Sequence, residues 1–402
     1  MGRKDKFIMN ILKTIPKLMV LLLGSIFLGA ALLWLVFLLP VVPMAQHARD
    51  AVKVFSIERN YPVMDGTEAT KLDNWTDSLM LDNAVFLKEG TRPLELALEV
   101  YNPGYESGNP TEAFILYMNK KEPLHISSYS RYWRRQGFRP VVPLAAAWLF
   151  LRPAALAFSM QFSTVFYTSM VGVLVLALGY DWLSQENRML YFFLLIGIVT
   201  NYVDFLTYPV ASLGIPMVIW LCLAQNRSFR EHLQMVVFGS VCWGLGYAGM
   251  WAGKWILGSA LLGHNILADA LNQARFRSSS DVGIGIAVSR GIVILRNLYT
   301  GAGKWGLGLW LALAVWVLAV VAVRIWRSRE NRWNPVFRAI PFLLTAVMPL
   351  VWYGVLLNHS FVHHWFTYRA LAVSVMAAMG IGIVAGTSGD NPGTASKSKT
   401  RT

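Results

Sequence analysis

Four short stretches of the 402-residue chain carry side chains that can do chemistry. The first is Leu72-Asp73-Asn74-Trp75-Thr76-Asp77-Ser78, with Asp82 just beyond. Asp73 and Asp77 are spaced so that on one helix they share a face. Two carboxylates so placed can hold a divalent cation through hard oxygen ligands. They can also set one group as a general base beside the other, or form the acidic face of a solvated helix. Asn74-Trp75-Thr76 fits a glycosylation sequon, a pattern of low specificity. The second stretch, 127–139, holds Tyr129, Arg131, Tyr132, Trp133, Arg134, Arg135 and Arg139. Guanidinium forks bind phosphate, and aromatic rings stack on sugars. The same mixture also anchors a chain at lipid headgroups.

The third stretch is Asn201-Tyr202-Val203-Asp204-Phe205-Leu206-Thr207-Tyr208-Pro209. It joins two apolar runs with almost no loop, so Asp204 needs a partner, a cavity or a cation, or serves as a helix cap. The fourth runs from Asn358 to Arg369 and includes His359, His363, His364, Trp365, Phe366, Tyr368 and Arg369. His359 and His363 share a face on a helix and can donate, accept or ligate. The zinc-protease pattern His-Glu-x-x-His is not met, because Ser360 follows His359. Arg369 suits a phosphate or carboxylate ligand, or an interfacial anchor.

The elements that must position these groups are membrane spans. The chain is 55% hydrophobic and 14% charged, with mean hydropathy +0.45, where soluble proteins carry about 25% charged residues. The net charge of +14 does not point to nucleic acid, because much of the Lys and Arg flanks apolar runs, where it sets topology. Cys222 and Cys242 lie inside apolar runs without disulfide or metal spacing and read as packing residues.

The reading is an all-α polytopic membrane protein of about eight spans, with a large first extracytoplasmic loop that contains interfacial helices. A basic N-terminus precedes an uncleaved first span at 18–42, so residues 1–42 form a cytoplasmic start and the first helix. Residues 43–161 form the extracytoplasmic loop: the acidic helical segment, then an apolar piece at 141–158 broken by Pro143 and Arg152-Pro153, read as interfacial or re-entrant. Further spans follow at 162–181, 189–206, 208–224, 233–252, 306–326, 336–357 and 370–387, making a seven-helix region over 162–387. Five arginines between 324 and 338 mark a cytoplasmic loop. Both termini then face the cytoplasm, and the Gly/Ser/Lys/Thr tail 388–402 is a disordered cytoplasmic end. Segment 253–305 lies outside, with an interfacial helix over 278–299 capped by its serines or Asp281. The glycines Gly239, Gly244, Gly246, Gly249 and Gly253 imply close helix packing. Under this topology all four polar stretches face the extracytoplasmic side of the plasma membrane.

This layout resembles the GT-C superfamily of integral membrane glycosyltransferases. The motifs Leu72-Asp73-Asn74-Trp75-Thr76-Asp77, Ser130-Arg131-Tyr132-Trp133, Asp204-x-x-Thr207-Tyr208-Pro209 and Asn358-His359-Ser360 with His363 and Phe366-Thr367-Tyr368-Arg369 are similar to those of a group of bacterial multi-pass membrane proteins. The resemblance implies a polyprenyl-phosphate-sugar donor, a glycan acceptor and inverting transfer outside the cell, in cell-surface polysaccharide assembly. A first-loop acid would be the base or metal ligand. Asp50 and Glu58 lie nearest the first span, but no adjacent acidic pair occurs there, and Asp73 or Asp77 is the expected base. A divalent cation, if one is used, would sit on the same two residues. Arg131, Arg134 and Arg369 would face the donor phosphate, and His359 and His363 would orient phosphate or acceptor. Trp133, Asp204, Tyr208 and Tyr368 would complete the substrate cavity. The rival readings are a transporter or flippase for a lipid-linked or anionic substrate, and a non-catalytic assembly subunit.

Overall fold

The computed structural model describes residues 3–37, 141–151, 160–204, 206–262, 265–282, 287–327 and 334–384. Asp50, Glu58, Asp73, Asp77, Arg131, Trp133, Arg134 and the tail 388–402 lie outside the described residues. Among the described residues the chain is helical, and the one pairing of extended backbone is an isolated bridge between Asp281 and Ala287.

Helix α1 spans Arg3–Phe37 and α2 Val141–Leu151. A bundle follows: α3 (Met160–Leu183), α4 (Arg188–Val203), α5 (Val210–Leu223) and α6 (Phe229–Leu262). Two shorter helices, α7 (Leu267–Ser278) and α8 (Arg290–Ala302), lead into α9 (Gly308–Arg327) and α10 (Asn334–Val355). The chain then breaks into α11 (Leu357–Val362), α12 (His364–Thr367) and a 3-10 turn at Tyr368–Leu371, before α13 (Ala372–Val384).

Among the described residues, six segments are long and apolar enough to cross a membrane: Pro16–Leu35, Ser163–Leu183, Phe229–Ala260, Gly308–Trp326, Pro335–Val355 and His364–Val384. Each meets a span expected from the sequence. The other two expected spans, 189–206 and 208–224, are shorter apolar helices of 16 and 14 residues. At 14 residues α5 rises about 21 Å, less than the ~30 Å of a hydrocarbon core. Every residue of α5 is buried, as expected of a central helix that is apolar all round. It is enclosed by α3, α10 and α13.

Helix α6 exceeds the 233–252 span at both ends and continues unbroken to Leu262. Its small residues let two neighbours approach on different sides. A Cβ on Gly246 would strike the Leu194 carbonyl of α4, and one on Gly197 would strike the Trp243 carbonyl of α6. Gly249 and Gly253 meet α1 at Ser25 and Ile26, and Gly239 meets Phe193 and Met217. Gly244 meets nothing within 4 Å. Four of the five glycines are therefore contact points, and α6 is the mast between α1 and α4. Helix α9 stands at the rim, with Leu311, Leu318 and Trp326 at least two-thirds exposed.

The helix expected over 278–299 begins later. The Ser279 hydroxyl donates to the carbonyls of Phe276 and Asp281 and closes α7, whereas Ser289 caps α8 by accepting from the Ile292 N–H.

Gly246→Leu should force α4 and α6 apart against backbone atoms, at a cost of about 1–3 kcal/mol for overpacking. The thermal midpoint of the detergent-solubilised protein should fall. Gly244→Leu, placed two residues away against open space, should leave it nearly unchanged. Equal midpoints for the two variants would contradict this packing.

Candidate functional site

The site begins with a turn. Helix α4 closes when the Asp204 N–H donates to the Thr200 carbonyl, and the backbone of Asp204 then extends. The Asp204 carboxylate accepts from the Thr207 N–H at 3.0 and 3.2 Å and from the Thr207 hydroxyl. This is the local side-chain-to-backbone bonding that lets Asp cap a helix entry. Pro209 follows with φ −58, next to the first residue of α5. Leu206 sits at φ 63, a left-handed backbone uncommon for a residue with a Cβ.

His359 holds that strained residue. Its Nε2 lies 2.6 Å from the Leu206 carbonyl, and its Nδ1 lies 3.1 Å from Arg277 Nη1. A carbonyl oxygen only accepts and a guanidinium only donates. The proton therefore sits on Nε2, and the Nδ1 lone pair faces Arg277. His359 is 2% exposed. Burial, reinforced by Arg277 and His363, holds its pKa well below the usual 6.5. The imidazole is a neutral bracket joining α7, α11 and the α4–α5 turn.

The other two histidines point elsewhere. His363 lies 4.9 Å from His359, ring to ring, so the shared face expected from their spacing is present, and it stacks on Phe366 at 5.2 Å. His364 Nδ1 shares a 2.8 Å hydrogen bond with the Thr300 hydroxyl of α8.

The broken backbone around these residues is held by polar side chains. Asn358 takes the Ser279 carbonyl through its N–H and the Asp281 carbonyl through its amide, at 3.0 and 2.6 Å. Asn297, fully buried in α8, donates to the Ser360 carbonyl at 2.9 Å and accepts from the Thr367 hydroxyl at 2.7 Å. The Tyr353 hydroxyl donates to the Thr367 carbonyl at 2.9 Å. Unpaired buried peptide groups are costly, so these bonds fix where the histidines stand.

Two further charged residues act on the turn. Arg369 is 9% exposed, with its guanidinium carbon 5.1 Å from the centroid of the Tyr368 ring. Its charge acts on the buried Tyr208, which also feels Asp204 and Tyr368. Lys254, on α6, donates to the Asn201 carbonyl at 2.8 Å, and its charge acts on Asp204. Asn201 in turn hydrogen-bonds Tyr247, which stacks on Trp243 with centroids 5.1 Å apart.

The fold thus brings together Asp204, Tyr208, His359, His363, Tyr368 and Arg369 from two separate parts of the chain. Among the described residues, no group of three or more His, Cys, Asp and Glu side chains could hold a metal ion. Arg277, Lys254 and Tyr247 were not anticipated. Lys254 carries a readable signal, an ionisable residue inside the apolar run Gly-Met-Trp-Ala-Gly-Lys-Trp-Ile-Leu. Arg277 carries none, because its partner His359 lies 82 residues away in sequence.

The chain stands apart in comparisons with known proteins: no protein-family model, no curated protein and no solved structure matches it.

Acid should weaken the His359 bracket. The folded-state pKa is depressed, so the unfolded chain binds the extra proton first and stability falls as pH drops below about 6.5. Protonated Nδ1 would also present a hydrogen to the donor Arg277. The thermal midpoint should fall between pH 7 and pH 5 in the wild-type protein and fall less in His359→Asn. An identical pH slope in both would remove His359 as the cause.

Proposed function

We propose that this is an integral membrane protein of the glycosyltransferase kind, acting on a lipid-phosphate-linked sugar at the extracytoplasmic face. Its eight spans include the two short helices α4 and α5, and both termini are cytoplasmic. The observation that carries the reading is the convergence of Asp204, His359 and the cations Lys254, Arg277 and Arg369 around one turn between spans. Lys254 stands 21 residues up α6 from the start of the 233–252 span, about 32 Å at the rise of an α-helix. That exceeds the ~30 Å hydrocarbon thickness, so the cluster belongs at the boundary rather than in mid-bilayer. A transporter would favour charges and broken helices at the midplane; here the helix breaks at 204–209 and 356–371 adjoin the boundary cluster.

In the reaction, the acceptor hydroxyl attacks the anomeric carbon, the bond from that carbon to the phosphate oxygen breaks, and the proton passes to a base. Asp73 or Asp77 is the proposed base, or holds a divalent cation beside the donor. Arg131, Arg134 and Arg369 stabilise the charge that develops on the departing phosphate. Trp133, Tyr208 and Tyr368 offer rings and hydroxyls to the sugar. His359 positions the turn, and His363 faces the acceptor side. Membrane lipid, the polyprenyl-phosphate sugar and a glycan acceptor are the partners.

Two experiments test the reading. Asp73→Asn or Asp77→Asn should reduce surface glycan modification by about two to four orders of magnitude, the usual contribution of a general base, at unchanged protein level. Normal glycan in both variants and in the double variant would exclude these residues as the base. For topology, Trp365→Cys in a Cys222→Ser, Cys242→Ser background should react with a membrane-impermeant maleimide on intact cells, since Trp365 is 45% exposed. Labelling only after lysis would reverse the orientation.

A further inference from the structure

We propose that Arg277, aimed by His359, anchors a phosphate-binding site between α7, α11 and the α4–α5 turn. The proposal rests on the function proposed above and names the group that would take the anionic part of the substrate.

A guanidinium offers five N–H donors. In Arg277, His359 Nδ1 takes one donor at 3.1 Å. No acid among the described residues pairs with Arg277, although burial disfavours its charge. A half-buried cation with no counter-charge among the described residues is costly, and an arriving anion would relieve that cost.

The identity of the orienting group matters. A carboxylate at the position of His359 would fix the guanidinium equally well but cancel its charge. A neutral imidazole with its proton committed to the Leu206 carbonyl fixes the same fork and leaves the charge whole. The planar fork suits phosphate oxygens, which can take two parallel hydrogen bonds.

The surroundings add to the positive field. Tyr247 lies within electrostatic reach of both Arg277 and Asp204, and Lys254 also acts on Asp204. The linked set therefore contains Lys254, Arg277 and Arg369 and the carboxylate of Asp204. Asp281 meets the set through its backbone carbonyl and is itself exposed. Residues 253–305 hold six Lys and Arg against two acids. Insertion bias favours basic residues in cytoplasmic segments, so on the extracytoplasmic side a binding duty accounts better for the excess.

Phosphate at this site could come from a lipid or from solution. The test uses the full chain in non-ionic detergent with three probes: farnesyl phosphate, inorganic phosphate and uncharged farnesol. Binding is read by thermal shift and by titration. Farnesyl phosphate should bind and farnesol should not, which assigns the lipid source. Stabilisation by inorganic phosphate at comparable concentration would assign the free source and still support the site. In either case Arg277→Gln should weaken binding by about 10- to 100-fold, the range for a lost charge-assisted contact. Arg277→Lys should recover part of it, as a point charge without the fork. His359→Asn should weaken binding less than Arg277→Gln and make it vary with pH differently from the wild type. Equal affinity in wild type and a monodisperse Arg277→Gln, or no binding of any phosphate probe to the wild type, would overturn the proposal. If Arg277→Gln does not purify as a monodisperse species, Arg277→Lys decides by the same comparison. These outcomes are separable from the glycan test. Intact phosphate binding with normal glycan in the Asp73 and Asp77 variants removes the proposed base, while lost glycan with unaltered binding in Arg277→Gln removes this site.

Discussion

The hydrogen bond from His359 to the Leu206 carbonyl is the constraint on which the site depends. Leu206 is held in a left-handed conformation that its side chain disfavours. That geometry lets α4 and α5 turn back with almost no loop. It also places Asp204 and Tyr208 on the two sides of the turn. The bond crosses 153 residues of sequence. It therefore ties the late, broken part of the chain to an early hairpin, and Arg277 on the opposite nitrogen extends the tie to α7. Neutrality of the imidazole is essential to this arrangement, because both of its partners have fixed roles as acceptor and donor.

Close packing below the turn makes that tie possible. Gly197 and Gly246 bring the backbones of α4 and α6 into contact, so neither can slide or rotate against the other. Further along the same pair, Lys254 of α6 reaches the Asn201 carbonyl in the last turn of α4. Asn201 would otherwise leave that carbonyl without an intrahelical partner, as happens near every helix end. A lysine thus completes a helix terminus and at the same time supplies a charge opposite Asp204. The polar trio Thr200, Ser212 and Trp243 lies in the same region, with Thr200 and Ser212 hydroxyls 2.7 Å apart and the indole N–H donating to Ser212 at 3.1 Å. Satisfied networks of this kind favour one packing arrangement over its neighbours.

The helical class and the six segments long and apolar enough to span a membrane were legible in the sequence, because long apolar runs between basic flanks carry a strong signal. The two short helices were also visible as apolar runs, but their length is set by burial on all sides, a tertiary property. The glycine pattern in α6 correctly indicated close approach, without showing that Gly246 faces α4 while Gly249 and Gly253 face α1. At the site, Asp204 and the histidine stretch stood out because polar residues between apolar runs need a reason to be there. The roles of the three histidines did not, since Thr300, Arg277 and Leu206 lie far from them in sequence. Helix α8 began later than its serines suggested because Ser279 turns back to close α7 and leaves the cap to Ser289.

The polar side chains in and around the 356–371 segment divide into two kinds once their bonds are assigned. Irregular backbone next to an apolar bundle exposes peptide groups that must be satisfied within the protein. Asn297, Asn358, Tyr353 and His359 all do so, each through at least one backbone carbonyl. Their presence follows from the break in the helix and does not by itself require a ligand. Arg277 has no such duty: among the described residues its hydrogen bond is to His359, and it satisfies no carbonyl there. The histidines that draw attention in the sequence are thus largely the framework. The charge they hold in place comes from a residue that the sequence alone would pass over.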